Sequence, residues 1–593
     1  MEERFSLLLF RISFVGIALG AAASFYFLAG LAGYVASLPA NTIVALTFAG
    51  AAFFFLYEFN RTLWETNGLG RLIWFAIVLI LISEVLLSMV PPTARDELTH
   101  HLAIPRLYVK AGRIIEFPIA PYSYYPMLLE MLYTPWVFWG YDSVPKLVHC
   151  LFGFLTGLLL YAYLSRRMNS VYGLLGFFFF ISVPAVLRLD HLAYVDLGTT
   201  FYAAASLLSL MRWREEKDSL RWLFLAAVSA GFAASTKPNG LVALLLSSFL
   251  LVFMLAGDPL KGTKNVFALA FFAIAALLPF LPWLVKNWWQ TSNPFFPLLG
   301  SVFTATGGGG GGSPGTFVNL DIFARRALLY GESWWEIAAL PLRVFFSGRD
   351  DDPRYFDGVL SPMLILLLPW AFKGKWIEEK KLLLIFALFY FAYALFLADL
   401  RIRYILPVVP PLVVLFIYAV FNIYLSVKRP AYLFGCLIFF ASLHALYLWR
   451  QISDATPFGY LTGRESRDTY LERHLPDYRV FEAINRQLPP SAKIYLLFAG
   501  RRTYYCDRDY FHDGGELPGL LLSAIQSAKE PSQIGNILKT KGITHLMIRE
   551  DLLAQFLRNN LNASQGILWN NFVSRHLQLR FRDRGYALYD FHA

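Results

Sequence analysis

Long apolar runs separated by short polar loops make up the first 450 residues. A helix needs roughly 17–25 apolar residues to cross a bilayer. Such runs recur near 8–36, 41–57, 71–90, 142–164, 171–187, 197–211, 220–235, 239–256, 265–285, 359–372, 381–398, 404–426 and 430–450. The expected fold is therefore a polytopic α-helical membrane protein with about 13 transmembrane helices. A further apolar segment at 126–140 carries a Tyr125-Pro126 step and Pro135, which favour a re-entrant or surface-lying helix over a span. From about residue 451 the pattern changes. Short stretches of strand type, such as Lys493–Phe498, Thr544–Ile548 and Tyr586–Phe591, alternate with helical segments around 476–488, 518–540 and 550–575. They predict a C-terminal soluble α/β domain over 451–593 and leave 1–450 as the transmembrane domain.

Charge tests the span count independently, because short cytoplasmic loops carry the excess of Lys and Arg. With a cytoplasmic N-terminus, the inside loops hold Arg61 and Arg71; Arg166 and Arg167; Arg212, Arg214, Lys217 and Arg221; Lys261 and Lys264; Lys373, Lys375, Lys380 and Lys381; Lys428 and Arg429. The opposite loops are poor in basic residues, and the stretch at 91–125, the segment 286–358 and the C-terminal domain share that non-cytoplasmic side. The first run is too long and continuous for a cleaved signal peptide. A chain that is 57% hydrophobic and only 16% charged is not a soluble one. Its net charge of +11 comes mainly from topology-setting loops, so no nucleic-acid partner is indicated. Cys150, Cys436 and Cys506 are too scattered for a disulfide framework or a Cys-based metal site.

Against this background the stretch Pro91–Tyr108 stands out. Directly after a membrane run it places Arg95, Asp96, Glu97, His100 and His101 within seven positions. Ionisable groups at a membrane edge are costly and default to function. Thr93 or Asp96 can cap a short helix in which Asp96 faces His100 and Glu97 faces His101, four residues apart. The alternative is a capped interfacial helix with satisfied histidines. Other polar residues fall on the same side: Asp190, His191 and Asp196 between the fifth and sixth runs, Lys237 between the seventh and eighth, and Arg401, Arg403 and Tyr404 between the eleventh and twelfth. Segment 286–358 contains six consecutive glycines at 307–312, which read as a mobile lid or disordered insert. It ends in Asp350, Asp351, Asp352 and Asp357, candidate oxygen ligands for a hard cation or a solvated acidic loop.

These residues carry a resemblance. Arg95-Asp96-Glu97 after an early span, Ala111-Gly112-Arg113, the Tyr125-Pro126 step, Tyr194-Val-Asp196-Leu-Gly-Thr-Thr and Arg401-Ile-Arg-Tyr404-Ile-Leu-Pro407 resemble the GT-C superfamily of membrane glycosyltransferases, of the protein O-mannosyltransferase and lipid A aminoarabinose transferase type. The similarity extends over most of residues 70–430. One more span than usual precedes the acidic loop, and the Gly-rich segment has no counterpart. The resemblance implies a GT-C-like fold in a bacterial inner membrane, with the C-terminal domain periplasmic. It implies transfer of a sugar from a polyprenyl-phosphate carrier to a lipid, polysaccharide or protein acceptor of the cell envelope.

The chemistry expected of such a site matches the residue types. Displacement at an anomeric carbon needs a base for the acceptor proton and cations for the departing phosphate. Asp96, Glu97 and Asp196 are the candidate catalytic residues, and Asp96 is the candidate base, its pKa expected to be raised by the membrane edge and by Glu97. The resemblance implies that Asp196 orients the acceptor or assists a metal. Lys237, Arg401 and Arg403, with Tyr404, would hold the lipid phosphate, while Arg95, His100, His101 and Tyr125 support the loop. No separate covalent nucleophile is evident, so direct attack would invert the anomeric configuration. A cofactor is not required; a divalent metal on Glu97, His101 and Asp196 is a candidate. The competing readings are an O-antigen ligase or polymerase, which would rely on arginines and a histidine of one large outer loop, a lipid-linked-sugar flippase or transporter, which would show internal repeats and midplane charges, and a structural scaffold.

Overall fold

The computed structural model describes residues 2–216, 219–256, 262–303, 321–395, 400–428, 430–513 and 518–592. The glycine run, Lys217, Lys261, Asp399 and Arg429 lie outside the described residues. The membrane part is built from α1 (Glu2–Leu31), α2 (Leu38–Trp64), α3 (Leu69–Ser88), α4 (Ala103–Ala111), α5 (Leu128–Trp139), α6 (Val144–Arg167), α7 (Ser170–Ile181), α8 (Pro184–Asp190), α9 (Asp196–Glu215), α10 (Leu220–Thr236), α11 (Gly240–Ala256), α12 (Gly262–Thr291), α13 (Ile377–Leu395), α14 (Val409–Ser426) and α15 (Ala431–Ala455). Among the described residues, seven helices are long and apolar enough to span a membrane, counting α14 with the 3₁₀ turns that precede it, or eight if the bent pair α7–α8 is one span. That pair turns by 69° at Ser182-Val183, because Pro184 opens α8 and has no N–H to continue α7.

Two expectations change in the structure. The run at 359–372 is not one helix but two single turns, Met363–Leu366 and Leu368–Ala371, because Pro362 and Pro369 each restart the chain. The segment 126–140 is not a span, as expected, since α5 has only 12 residues; but it packs inside the protein instead of lying on its surface, with every residue from Leu128 to Pro135 buried.

The bundle core is formed by α6, α9, α10 and α14, whose residues are buried on nearly all sides. Small residues allow the closest approaches. A side chain on Gly231 would meet the Ala276 carbonyl oxygen of α12 at 2.1 Å, which fixes how near α10 and α12 can lie. At one end of the bundle Arg4, Arg61, Arg166, Arg167 and Arg212 pair with Glu2, Glu58, Glu65, Glu215, Glu216 and Glu379. At the other end lie the 91–125 stretch, the acidic segment near 350 and the C-terminal domain.

That domain holds a five-stranded sheet: β1 (Lys493–Leu497), β2 (Asp509–Phe511), β3 (His545–Arg549), β4 (Leu577–Asp583) and β5 (Tyr586–Phe591), in the order β2-β1-β3-β5-β4. β1 runs parallel to β2 and β3, with Ile494 opposite His545, while β5 is antiparallel to both β3 and β4. The sequence pattern marks β1, β3 and β5. It does not mark β2, which is three residues long, or β4, whose side chains are mostly exposed. Tyr495, Leu497, Leu546 and Ile548 form the core under the flanking helices.

The domain is fastened to the 91–108 stretch rather than tethered loosely. The Tyr504 N–H donates to the Leu98 carbonyl at 3.2 Å, and the Tyr505 hydroxyl to the Pro92 carbonyl at 2.8 Å. Arg106 donates to the Tyr504 carbonyl at 2.6 Å and Lys110 to the Asp507 carbonyl at 2.8 Å.

Candidate active site

The charged stretch after α3 folds as a wide turn. From Glu97 to His101 the backbone forms a π-helical turn, with the Leu102 N–H reaching the Glu97 carbonyl at 2.9 Å. Such turns are rare and are frequent at functional sites. They advance fewer degrees per residue than an α-helix, so the expected i,i+4 pairing of Glu97 with His101 is not made. Neither Thr93 nor Asp96 caps the turn. Instead Glu97 reaches back: one carboxylate oxygen accepts from the Thr93 and Ala94 N–H groups at 3.1 and 2.9 Å, and the other from the Ala193 N–H at 2.6 Å. Glu97 is fully buried and ties the loop after α3 to the loop before α9.

Freed from capping, Asp96 pairs with Arg403 at 2.5 Å. Burial opposes ionisation of Asp96, but the Arg403 guanidinium, with His100 and Lys237 adding to it, holds the carboxyl well below its usual range. This is the opposite of the raised value expected from the sequence. Burial pulls the His100 imidazole down to about 4 despite the Asp96 charge, so it is neutral at physiological pH.

The second acid is placed by helix geometry. Asp196 is the first residue of α9, and its Oδ1 accepts from Lys237 Nζ at 2.7 Å across the end of α10. Its Oδ2 is buried and has no hydrogen-bond partner among the described residues. His149 fixes the same turn, donating from Nδ1 to the Leu189 carbonyl at 3.0 Å and accepting the Leu197 N–H at Nε2, 2.9 Å away. Tyr404 joins the two pairs, with its ring 4.8 Å from Lys237 Nζ and 5.3 Å from the Arg403 guanidinium, which also lies 5.2 Å from the Tyr194 ring. Asn239 pins the Tyr404 carbonyl at 3.0 Å, and the Tyr390 hydroxyl pins the Asn239 carbonyl at 2.9 Å.

Asp96, Asp196, Lys237, Arg403 and Tyr404 thus come together. The other candidates stand around them. His100 stacks on Tyr122 at 4.5 Å, and Tyr125 lies 5.8 Å beyond. Arg95 and Arg401 line a cavity of about 460 Å³ beside Asp96 and Arg403, with Arg401 held by Asp357 at 3.1 Å. The acids near 350 close over this cavity through organic partners, Asp351 on Arg188 at 2.9 Å and Asp350 on the Tyr447 hydroxyl at 2.7 Å. A larger cleft of about 590 Å³ between α4 and the C-terminal domain holds none of the paired site residues.

The structure does not gather Glu97, His101 and Asp196 into one ligand set. Glu97 is committed to three amides, His101 Nδ1 to Glu130 Oε1 at 2.7 Å, and Asp196 to Lys237. Among the described residues no three His, Cys, Asp or Glu groups are placed to hold a metal ion. Sequence reasoning missed Glu130, and also Glu84, whose Oε2 sits 2.8 Å from His191 Nδ1. A lone acid inside an apolar run was the signal available for both.

Residues 142–285, from just before α6 to near the end of α12, match the model of the dolichyl-phosphate-mannose-protein mannosyltransferase family. The structure of ArnT from Cupriavidus metallidurans in the apo state is similar with a TM-score of 0.54, at 15% identity, over 88% of this chain and 97% of that one. The chain has the GT-C glycosyltransferase fold. Further GT-C structures show weaker likeness. They are ArnT from the same organism bound to undecaprenyl phosphate (TM-score 0.49, 14% identity, 87% of this chain and 97% of that one) and the archaeal oligosaccharyltransferase AglB from Archaeoglobus fulgidus in complex with an inhibitory peptide and a dolichol-phosphate (TM-score 0.43, 11% identity, 88% and 74%). No curated protein sequence matches the chain. Within the GT-C fold, the family match contains Asp196 and Lys237, whereas Asp96 and Arg403 lie outside it.

Proposed function

We propose that this protein is an integral-membrane glycosyltransferase that moves a sugar from a polyprenyl-phosphate carrier to an acceptor of the cell envelope on the non-cytoplasmic face. The observation that carries the reading is the double pairing Asp96–Arg403 and Asp196–Lys237 around Tyr404, two acids and two cations from four separate loops. The name of the matching family, which specifies dolichyl phosphate mannose, supports a lipid-phosphate donor. Its match to residues 142–285 places Lys237 in the shared segment. The basic loops at the opposite end support a cytoplasmic N-terminus and an extracytoplasmic C-terminal domain, in a bacterial inner membrane.

In the reaction, the donor phosphate lies on Lys237 and Arg403, which neutralise the charge that grows as the sugar–phosphate bond breaks. The acceptor oxygen attacks the anomeric carbon from the face opposite the phosphate, the bonding pair of that carbon–oxygen bond leaves with the polyprenyl phosphate, and configuration inverts. The acceptor proton goes to Asp96. A carboxylate clasped by Arg403 is a weak base, so donor binding has a second effect: once the phosphate engages Arg403, the clasp loosens and Asp96 gains proton affinity with the donor already seated. Asp196 Oδ2 is free to orient the acceptor through a hydrogen bond. Glu97, His101 and Tyr125 hold these groups in place. No step runs through a metal, since Glu97 gives both its oxygens to backbone amides.

The test is transfer of labelled sugar from a polyprenyl-phosphate donor by the full chain in lipid, supplied with cell-envelope extract, for wild type and Asp96→Asn. Labelling by wild type and loss of about 10²-fold or more in the folded variant is the expected result. Equal labelling removes Asp96 as the base; no donor binding and no labelling removes the transferase reading.

A further inference from the structure

Lys146, in the first turn of α6, is only 2% exposed, yet among the described residues its single hydrogen bond is to the Val90 carbonyl, 3.0 Å away. An ammonium offers three donors, and a buried one needs a counter-charge. The two acids that act on it are already spent. Glu97 holds three backbone amides, and Asp142 is clamped by the Arg467 guanidinium and faces the Tyr504 hydroxyl. Lys146 lines the 460 Å³ cavity together with His474, which the segment after α15 brings in. The His474 ring lies 4.4 Å from the Tyr470 ring, tilted by 35°, and its buried Nε2 has no partner among the described residues. Of the other cations on this wall, Arg188 is matched with Asp351 and Arg401 with Asp357, while Arg95, which has no acid partner among the described residues, is exposed rather than buried. The donor cations, Lys237 and Arg403, already have Asp196 and Asp96.

We propose that Lys146 and His474 form a second oxyanion subsite, which seats an anionic group of the acceptor, a phosphate monoester or a carboxylate. The inference rests on the transferase reading and adds the chemical class of the acceptor. It also gives the chain between α15 and the sheet a task, since His474 closes the subsite from the C-terminal side. The acceptor is then gripped at two points, its anion on Lys146 and its attacking hydroxyl near Asp96 on the wall of the same cavity.

The experiment uses the full chain in nanodiscs, first titrated with undecaprenyl phosphate and then, loaded with it, with methyl phosphate or acetate in a calorimeter. Methyl phosphate or acetate is expected to bind the loaded protein at one site. Lys146→Gln weakens it by about tenfold or more, in keeping with the loss of a charge-assisted hydrogen bond. Lys146→Arg preserves binding and shows that the position tolerates change. His474→Ala, at a less buried position, weakens binding by about threefold or more through loss of a single hydrogen bond. Tighter binding of methyl phosphate than acetate assigns a phosphate acceptor, and the reverse a carboxylate. Absence of binding to the loaded protein, or affinity unchanged in both Lys146→Gln and His474→Ala, overturns the subsite. Failure of undecaprenyl phosphate to bind in the first titration strikes the donor reading instead, and the probe titration on the empty protein still decides the Lys146 site.

Discussion

Replacing Glu97 with Gln separates a positioning role from a catalytic one. The carboxylate now accepts from Thr93, Ala94 and Ala193 N–H groups at 3.1, 2.9 and 2.6 Å. Hydrogen bonds to a buried charge contribute roughly 1.5–3 kcal/mol each, and an unsatisfied buried donor costs about 1–3 kcal/mol. Gln fills the same space but has one acceptor oxygen, so its amide N–H₂ must face either the Ala193 N–H or the Thr93 and Ala94 pair. The neutral side chain is cheaper to bury, which offsets part of the loss. The net local destabilisation is about 2–4 kcal/mol, equivalent to hydrogen exchange about thirty- to a thousandfold faster at Thr93, Ala94 and Ala193. Exchange mass spectrometry on the protein in nanodiscs reads this directly, alongside sugar transfer. Asp96 adjoins the released loop, so transfer falls with exchange. If transfer falls while exchange at those three amides stays at the wild-type rate, Glu97 touches the reaction itself and the positioning argument is wrong.

Three other outcomes follow from the same geometry. In Arg403→Met the clasp on Asp96 is gone and burial is opposed only by the weaker pull of His100 and Lys237, so the acid limb of transfer rate against pH, measured from about pH 4 to about pH 8, moves to higher pH; a limb that stays in place excludes Asp96 as the titrating group. Transfer persists within about twofold in EDTA, because both Glu97 oxygens are held by amides and, among the described residues, no three His, Cys, Asp or Glu groups are placed to hold a metal ion; a large loss reversed by added divalent ion would refute this. Gly231→Ala drives a Cβ against the Ala276 backbone and destabilises the α10–α12 contact by about 1–3 kcal/mol, read as a lowered midpoint of thermal unfolding, with an unchanged midpoint as the contrary result.

The sequence made the sidedness of the site legible because charge in an apolar chain is scarce. Asp96, Asp196, Lys237 and Arg403 stand out individually, and alternation of spans brings them to one face before any contact is known. Their partners could not be read, since a pairing such as Asp96 with Arg403 spans the whole bundle and depends on helix packing. Local rules also misled where the backbone departs from the α-helix. Glu97 and His101 share a face at 3.6 residues per turn, but the π-turn parts them, sending one to amides and the other to Glu130. Lys146 and Glu84 escaped notice as single polar residues inside apolar runs, where hydropathy averages them away. Arg401 has the right chemistry for a phosphate, yet folding gives it to Asp357, a residue of the segment that closes the cavity.

The hydrogen bonds from Tyr504 and Tyr505 to the backbone of Leu98 and Pro92 link two parts of the chain separated by some four hundred residues. The loop therefore takes its final shape only after the membrane helices between it and the C-terminal sheet have been made, and only where that sheet stands at the loop's own end of the bundle. Its order is tied to the placing of a domain that lies far along the chain.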